Sequence, residues 1–226
     1  MTQPIRTKAD LSRELSGLLA RDGRLSGPAQ AVGELPLRLQ PPGLAGLLRI
    51  VAGQQLSTQS AAAVWKRFID VHGTPDAAAI AGAEEGDLRA AGLSRQKART
   101  FRAVSEAVVC GLDLEALATG DAGEARSQLE AICGIGRWSA DLYLMFCAGH
   151  PDILPTGDLA VRRGAQHALA LEDEPAADAL DMLGEAWAPH RSTASRLFWA
   201  YYRVAKDAQS ATAKRREAAV DAGMPL

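Results

Sequence analysis

At 226 residues, 47% of them hydrophobic and 5% aromatic, the chain is long enough to bury a substantial core, as one unit or as two closely packed lobes. Much of the apolar content is Ala and Leu, Val and Ile are sparse, and no long alternating run appears, so an all-α fold is expected rather than a sheet. A net charge of −2 and a pI near 6.1 argue against a protein that holds polyanions by bulk counterion release, so any grip on nucleic acid must be a local patch or use backbone N–H groups.

A first helix is expected over residues 9–21 with Asp10 as its cap, followed by a Gly- and Pro-punctuated lead-in ending at Pro41-Pro42-Gly43. From Leu44 onward helix follows helix. Ser57 is placed to cap a segment whose apolar positions Ala61, Val64, Trp65, Phe68 and Ile69 share one face, which should pack inward. Short Ala-rich helices fit residues 76–91, and Ser94 opens a longer one, Arg95–Val109, that carries Lys97, Arg99 and Arg102. Residues 123–132 read as helix, Gly134-Ile135-Gly136 interrupts them, and residues 137–148 resume with Trp138, Leu142, Tyr143, Leu144, Met145 and Phe146. Apolar on nearly all sides, that segment should lie at the centre of the fold. Pro151 and Pro155 mark a loop over 149–157, and Asp158 stands where an N-cap would open a helix over Leu159–Leu169. The last long helix is expected over 192–206, with Ala194, Leu197, Phe198, Tyr201 and Val204 or Ala205 inward, before a polar tail from Ala211 that frays.

Cys110, Cys133 and Cys147 are odd in number and match no disulfide, zinc or iron–sulfur spacing, so a reducing, cytoplasmic setting without an iron–sulfur cluster is expected. The first residues, Met-Thr-Gln-Pro-Ile-Arg, have no apolar signal core behind them. No uninterrupted apolar run approaches the roughly 20 residues of a membrane span, and no membrane partner is expected.

The informative segment is Leu129-Glu130-Ala131-Ile132-Cys133-Gly134-Ile135-Gly136-Arg137-Trp138, in which two glycines flank one apolar residue between two helices. Glycines permit positive φ and close backbone approach, so such a hairpin can present the first N–H groups of the next helix to a phosphate with little net charge. Taken alone, Gly-Ile-Gly is more often just a tight turn between packed helices. Its context is more specific: Gly53-Gln54-Gln55-Leu56-Ser57 precedes it, and Leu154-Pro155-Thr156-Gly157-Asp158 and Pro189-His190-Arg191-Ser192, leading to Trp199, follow.

With these motifs in this order the chain resembles, over residues 44–202, the helix-hairpin-helix DNA glycosylases of the HhH-GPD superfamily, and most nearly the DNA-3-methyladenine glycosylase II branch. The resemblance implies two helical lobes around a central cleft, in a compact form without the amino-terminal sheet domain of larger bacterial members. Residues 1–43 would be a helix and lead-in, 44–205 the core and 206–226 a tail of one module. It implies a monomer acting on double-stranded DNA with alkylated bases.

Roles follow residue by residue. Asp158 falls on the catalytic carboxylate, which stabilises positive charge on the deoxyribose as the N-glycosidic bond breaks; it can be a helix cap as well. Trp138 occupies the position where bifunctional members carry a Schiff-base lysine, which implies base removal without strand cleavage. Trp138 and Trp199 match the base-pocket aromatics, whereas Trp65 and Trp187 are left to the core. Leu142 and Leu159 stand where well-known members place tyrosines, implying a less aromatic and wider pocket. Gln55, with Leu56 as the neighbouring candidate, matches the wedge that fills the gap left by an everted base; the alternative is that both glutamines hold the loop by hydrogen bonds. Gly134, Ile135 and Gly136 would bind the DNA backbone, joined by Lys97, Arg137, Arg162, Arg163 and Arg191, each of which could instead be a solvated charge. No cofactor is implied for catalysis, but the hairpin would hold a sodium or potassium ion through main-chain carbonyls of Ile132 and Ile135, beside Glu130. Two other readings stay open: a glycosylase for oxidised or mismatched bases, and a non-catalytic hairpin module that only binds DNA.

Overall fold

The computed structural model describes the backbone of residues 3–221 and the side chains of residues 3–207 and 210. Its elements are α1 (Lys8–Arg21), α2 (Ser26–Val32), α3 (Gly43–Gly53), α4 (Thr58–His72), α5 (Ala77–Gly82), α6 (Glu85–Ala90), α7 (Arg95–Val109), α8 (Ala122–Glu130), α9 (Arg137–Tyr143), α10 (Leu159–Leu169), α11 (Ala177–Gly184) and α12 (Arg191–Asp221). No strand occurs among the described residues. The all-α expectation therefore holds.

Two apolar cores define two lobes. The first gathers Leu47, Val51, Phe68, Phe101, Val104 and Leu129 with Tyr143, Leu144 and Met145, so α3 to α9 wrap the segment that is apolar on all sides. That segment starts as α9 and continues as a π-helical turn, Leu144–Ala148. The second core gathers Val161, Ala165, Trp187, Leu197 and Phe198 with Ile5, Leu11, Leu18, Leu25 and Leu35 from the other end of the chain. Trp199 packs against both cores.

Residues 22–43 are thus more than a lead-in. The chain enters the second lobe, crosses to build the first, and returns, so the amino-terminal segment completes a core whose other half lies more than 110 positions away. Helix α2 escapes a reading of its Gly-Pro punctuation because Pro28 sits in its first turn, where the missing N–H would have no intrahelical partner. Asp10 is not the cap of α1: Thr7 is, with its hydroxyl accepting from Asp10 N and the Asp10 carboxylate accepting from Thr7 N at 2.9 Å, a capping box. Helix α11 was not expected at all, and α12 runs well past residue 206. The tail expected to fray beyond Ala211 lies outside the described side chains.

The Ser57 and Ser94 caps form as expected, as does the Asp158 cap. Helices α10 and α12 cross closely at Gly164, where a Cβ would stand 2.2 Å from the Phe198 carbonyl oxygen. This crossing sets Asp158, at the head of α10, beside Trp199 on α12.

Candidate active site

The loop that returns to the second lobe is stitched to the start of α12. Ile153 N donates to Ser192 Oγ at 3.0 Å, Ser192 Oγ donates to His150 O at 2.6 Å, and Ser195 Oγ donates to Ile153 O at 3.2 Å. Arg191 adds a two-pronged grip on Asp152, through Nε at 2.7 Å and Nη2 at 2.8 Å. A loop held this way delivers its last residue, Asp158, to a fixed place.

The Asp158 carboxylate collects four N–H donors. Oδ1 accepts from Ala160 N at 2.9 Å, Val161 N at 3.2 Å and Trp199 Nε1 at 3.1 Å, while Oδ2 accepts from Trp138 Nε1 at 3.0 Å. The cap and a second job are compatible: Oδ1 serves the helix, and Oδ2 meets a side chain of the cleft. Both matched tryptophans orient the carboxylate edge-on through their indole N–H groups, a geometry beyond stacking alone.

Trp138 is 38% exposed and, with Leu142, lines a cleft of about 270 Å³ shared with Gln40, Arg49, Ile50, Gly53, Thr58 and Ala61. Trp199 and Leu159, expected in the same pocket, are not on its lining: Trp199 tilts over Phe146 at 5.5 Å, and Leu159 is 45% exposed at the head of α10. Arg49 and Gln40 were missed. A lone cation within Leu47-Leu48-Arg49-Ile50-Val51 was the available signal for Arg49.

The two hairpin glycines do different things. Gly134 has φ +88, and a Cβ there would stand 1.9 Å from Thr100 Oγ1 on α7. Gly136 is extended, with φ −103, and a Cβ there would meet nothing within 4 Å. Only Gly134 is demanded by conformation and approach; Gly136 leaves open space before α9. Ile135 N closes the turn on Ile132 O at 3.0 Å. Gln54 fastens the preceding Gln-Gln turn to this hairpin, donating to Ser139 Oγ at 2.8 Å and Gly134 O at 3.3 Å. Gln55 is exposed at φ +58, and Leu56 is 41% exposed. The holding role thus belongs to Gln54, leaving Gln55 and Leu56 at the surface.

The expected phosphate cations are all engaged within the chain. Lys97 Nζ donates to Ala52 O at 2.7 Å, closing the end of α3, and burial lowers its pKa. Arg137 binds both Asp181 oxygens, at 2.6 and 2.8 Å; Arg162 and Arg163 share Glu174, at 2.9 and 3.1 Å; Arg191 holds Asp152. Their partners lie on other elements, which a linear reading does not see, so none is a free cation. Asp181 also accepts from Thr156 Oγ1 at 3.2 Å, so through Arg137 it ties α9 to the loop that precedes Asp158. Behind it, Asp141 is fully buried against Arg126 Nε at 2.7 Å, and burial pushes its carboxyl up to about 6. Among the described residues no three His, Cys, Asp or Glu side chains cluster to hold a metal.

The site thus combines two helical lobes, a glycine hairpin and a loop aspartate bonded to Trp138, which lines the cleft. Residues 48–189 match the family model described as HhH-GPD superfamily base excision DNA repair protein, and the chain belongs to that superfamily. It is 29% identical over 167 residues to DNA-3-methyladenine glycosylase 1 of Schizosaccharomyces pombe, covering 70% of this chain and 72% of that one. The crystal structure of a DNA-3-methyladenine glycosidase from Bacillus halodurans superposes with a TM-score of 0.76 at 30% identity, over 84% of this chain and 88% of that one. The S. pombe glycosylase Mag1, solved in complex with abasic DNA, superposes with a TM-score of 0.71 at 25% identity, over 83% of this chain and 95% of that one.

Proposed function

We propose that the protein is a monofunctional DNA glycosylase that everts alkylated purines of the 3-methyladenine type from duplex DNA and hydrolyses their N-glycosidic bond. The observation that carries this reading is the Asp158 carboxylate, fixed by Trp138 and Trp199 at the edge of a largely apolar cleft. As the bond from C1′ to the base nitrogen breaks, electrons leave with the base and positive charge builds on the sugar. A carboxylate already aimed there lowers the barrier without reorganising. Water then adds to C1′ and gives up a proton to solvent, leaving the sugar hydroxyl.

An alkylated purine with delocalised positive charge leaves readily and is attracted to the face of Trp138, a contact of about 0.5–2 kcal/mol. With tryptophan at position 138 there is no amine to form an imine with the sugar, so base release without strand scission follows. Gln55, exposed at a strained turn, supports a wedge role, with Leu56 beside it. The hairpin amides around Gly136 would hold a phosphate, and a sodium or potassium ion on the carbonyls of Ile132 and Ile135, beside Glu130, would brace the turn. Ile132 O already accepts from Ile135 N, and a carbonyl's second lone pair leaves that compatible. The relatives named for 3-methyladenine add support.

The test is incubation with methylated duplex DNA and with an 8-oxoguanine duplex, followed by measurement of free bases and of strand breaks without alkali. Free methyladenine without nicking is expected. Release of 8-oxoguanine with nicking would favour the oxidised-base reading, and binding without any release would favour the non-catalytic one.

A further inference from the structure

The cations expected to meet DNA are spoken for by carboxylates or carbonyls, yet among the described residues Arg38 and Arg203, near Trp199 and the buried Arg196, have no ion-pair partner. Arg196, Trp199, Ala200 and Arg203 follow the i, i+3, i+4, i+7 spacing that places them along one face of α12. Arg196 is buried, donates to Leu37 O and to Met145 O at 2.9 Å, and lies 4.7 Å over the Phe146 ring. Together with Pro36, Arg38, Phe146 and Trp199 it lines a small cleft. Arg38 stands at its rim, with φ +49. Its conformation is held from both sides, since Leu37 O is taken by Arg196 and Gln40 N donates to Phe146 O at 2.8 Å.

The charge pattern is one-sided. Burial and the neighbouring Arg203 depress the pKa of Arg38, and burial and Arg38 depress that of Arg196. Among the described residues, Arg38 and Arg203 have no ion-pair partner, whereas Arg137, Arg162, Arg163 and Arg191 each have one. Like charges gathered without an acid repel until an anion joins them.

The neighbourhood says which anion. Trp199 belongs to this cleft and also donates to Asp158, so the cluster is one side chain away from the catalytic carboxylate. A nucleotide whose sugar faces Asp158 carries phosphates bonded to its own 3′ and 5′ oxygens, which must lie on the neighbouring surface. We propose that Arg38 and Arg203, backed by the buried Arg196, form a phosphodiester-binding site that clamps the damaged strand beside the everted nucleotide. This rests on the glycosylase reading of Asp158, and it supplies the local patch that a chain of net charge −2 requires.

The probe is a duplex with one tetrahydrofuran abasic analogue, with Kd measured by fluorescence anisotropy across a sodium chloride series. The Arg38→Ala, Arg203→Ala double variant, which leaves Arg196 in place to keep the fold, should weaken binding at least tenfold and reduce the slope of log Kd against log salt by about 1 to 2, roughly one for each phosphate no longer neutralised. The double lysine variant should keep the wild-type slope, and both variants should unfold at the wild-type temperature. An unchanged slope in the double alanine variant overturns the clamp. Base release from methylated DNA by the wild type is scored separately: its absence, with the slope change intact, would sink the glycosylase reading and leave the phosphate site standing.

Discussion

Replacing Gly134 by alanine strains the hairpin in two separable ways. At φ +88 an L-residue occupies the left-handed side of the map, which costs about 1–2 kcal/mol for a residue with a Cβ. The new methyl would also stand 1.9 Å from Thr100 Oγ1 and 2.9 Å from Thr100 Cβ, so Thr100 must move although its hydroxyl is bonded to Gln96 O at 3.1 Å. Overpacking of that kind typically adds about 1–3 kcal/mol. Gly134→Ala should therefore lower unfolding free energy by roughly 2–5 kcal/mol in urea denaturation at unchanged m-value. Thr100→Ala in the same chain should return part of the loss, because it removes the hydroxyl clash but not the φ strain, giving a favourable coupling in the double-mutant cycle. Since the hairpin precedes α9 and Trp138, affinity for an abasic duplex should fall alongside. A single variant within about 0.5 kcal/mol of wild type, or a cycle with no coupling, would refute this explanation of the turn.

Two further outcomes follow from the site. Asp141 has its carboxyl raised from 3.8 to about 6 by burial, so the folded state binds its proton more tightly than the unfolded chain does. The stability it confers is complete below about pH 4 and is lost as pH rises through 6, about 3 kcal/mol in all. Asp141→Asn should remove that decline, and parallel wild-type and variant curves of unfolding free energy between about pH 4 and pH 7.5 would count against it. Trp138→Phe takes from Asp158 Oδ2 its one hydrogen-bond donor among the described residues, an interaction with a charged group worth about 1.5–3 kcal/mol. Single-turnover release of methyladenine should slow by roughly 10- to 100-fold; an unaltered rate would mean that the indole N–H does not position the carboxylate.

What the sequence made legible was mostly local. Ser57, Ser94 and Asp158 announce helix starts because their side chains bond N–H groups two or three residues ahead, and Gly134 signals a turn that no other residue adopts freely. The convergence of Trp138, Trp199 and Asp158 was readable only as family resemblance, since the loop and helix that join them are packed by contacts across 20 and 41 positions. Non-local pairing hid the rest. Nothing adjacent to Arg162, Arg137 or Arg191 reveals that Glu174, Asp181 and Asp152 neutralise them. Periodicity also reports which face of a helix is apolar and not what covers it, so residues 22–43 passed for a lead-in while Leu25 and Leu35 were filling the second core.

Asp158→Asn removes the charge and keeps the shape and the capping oxygen. Single-turnover release of 3-methyladenine from methylated duplex should fall by at least about 100-fold, the scale of losing an aimed electrostatic group, while abasic duplex is still bound within a few-fold of wild type. Turnover within about tenfold of wild type in that variant would contradict a catalytic Asp158.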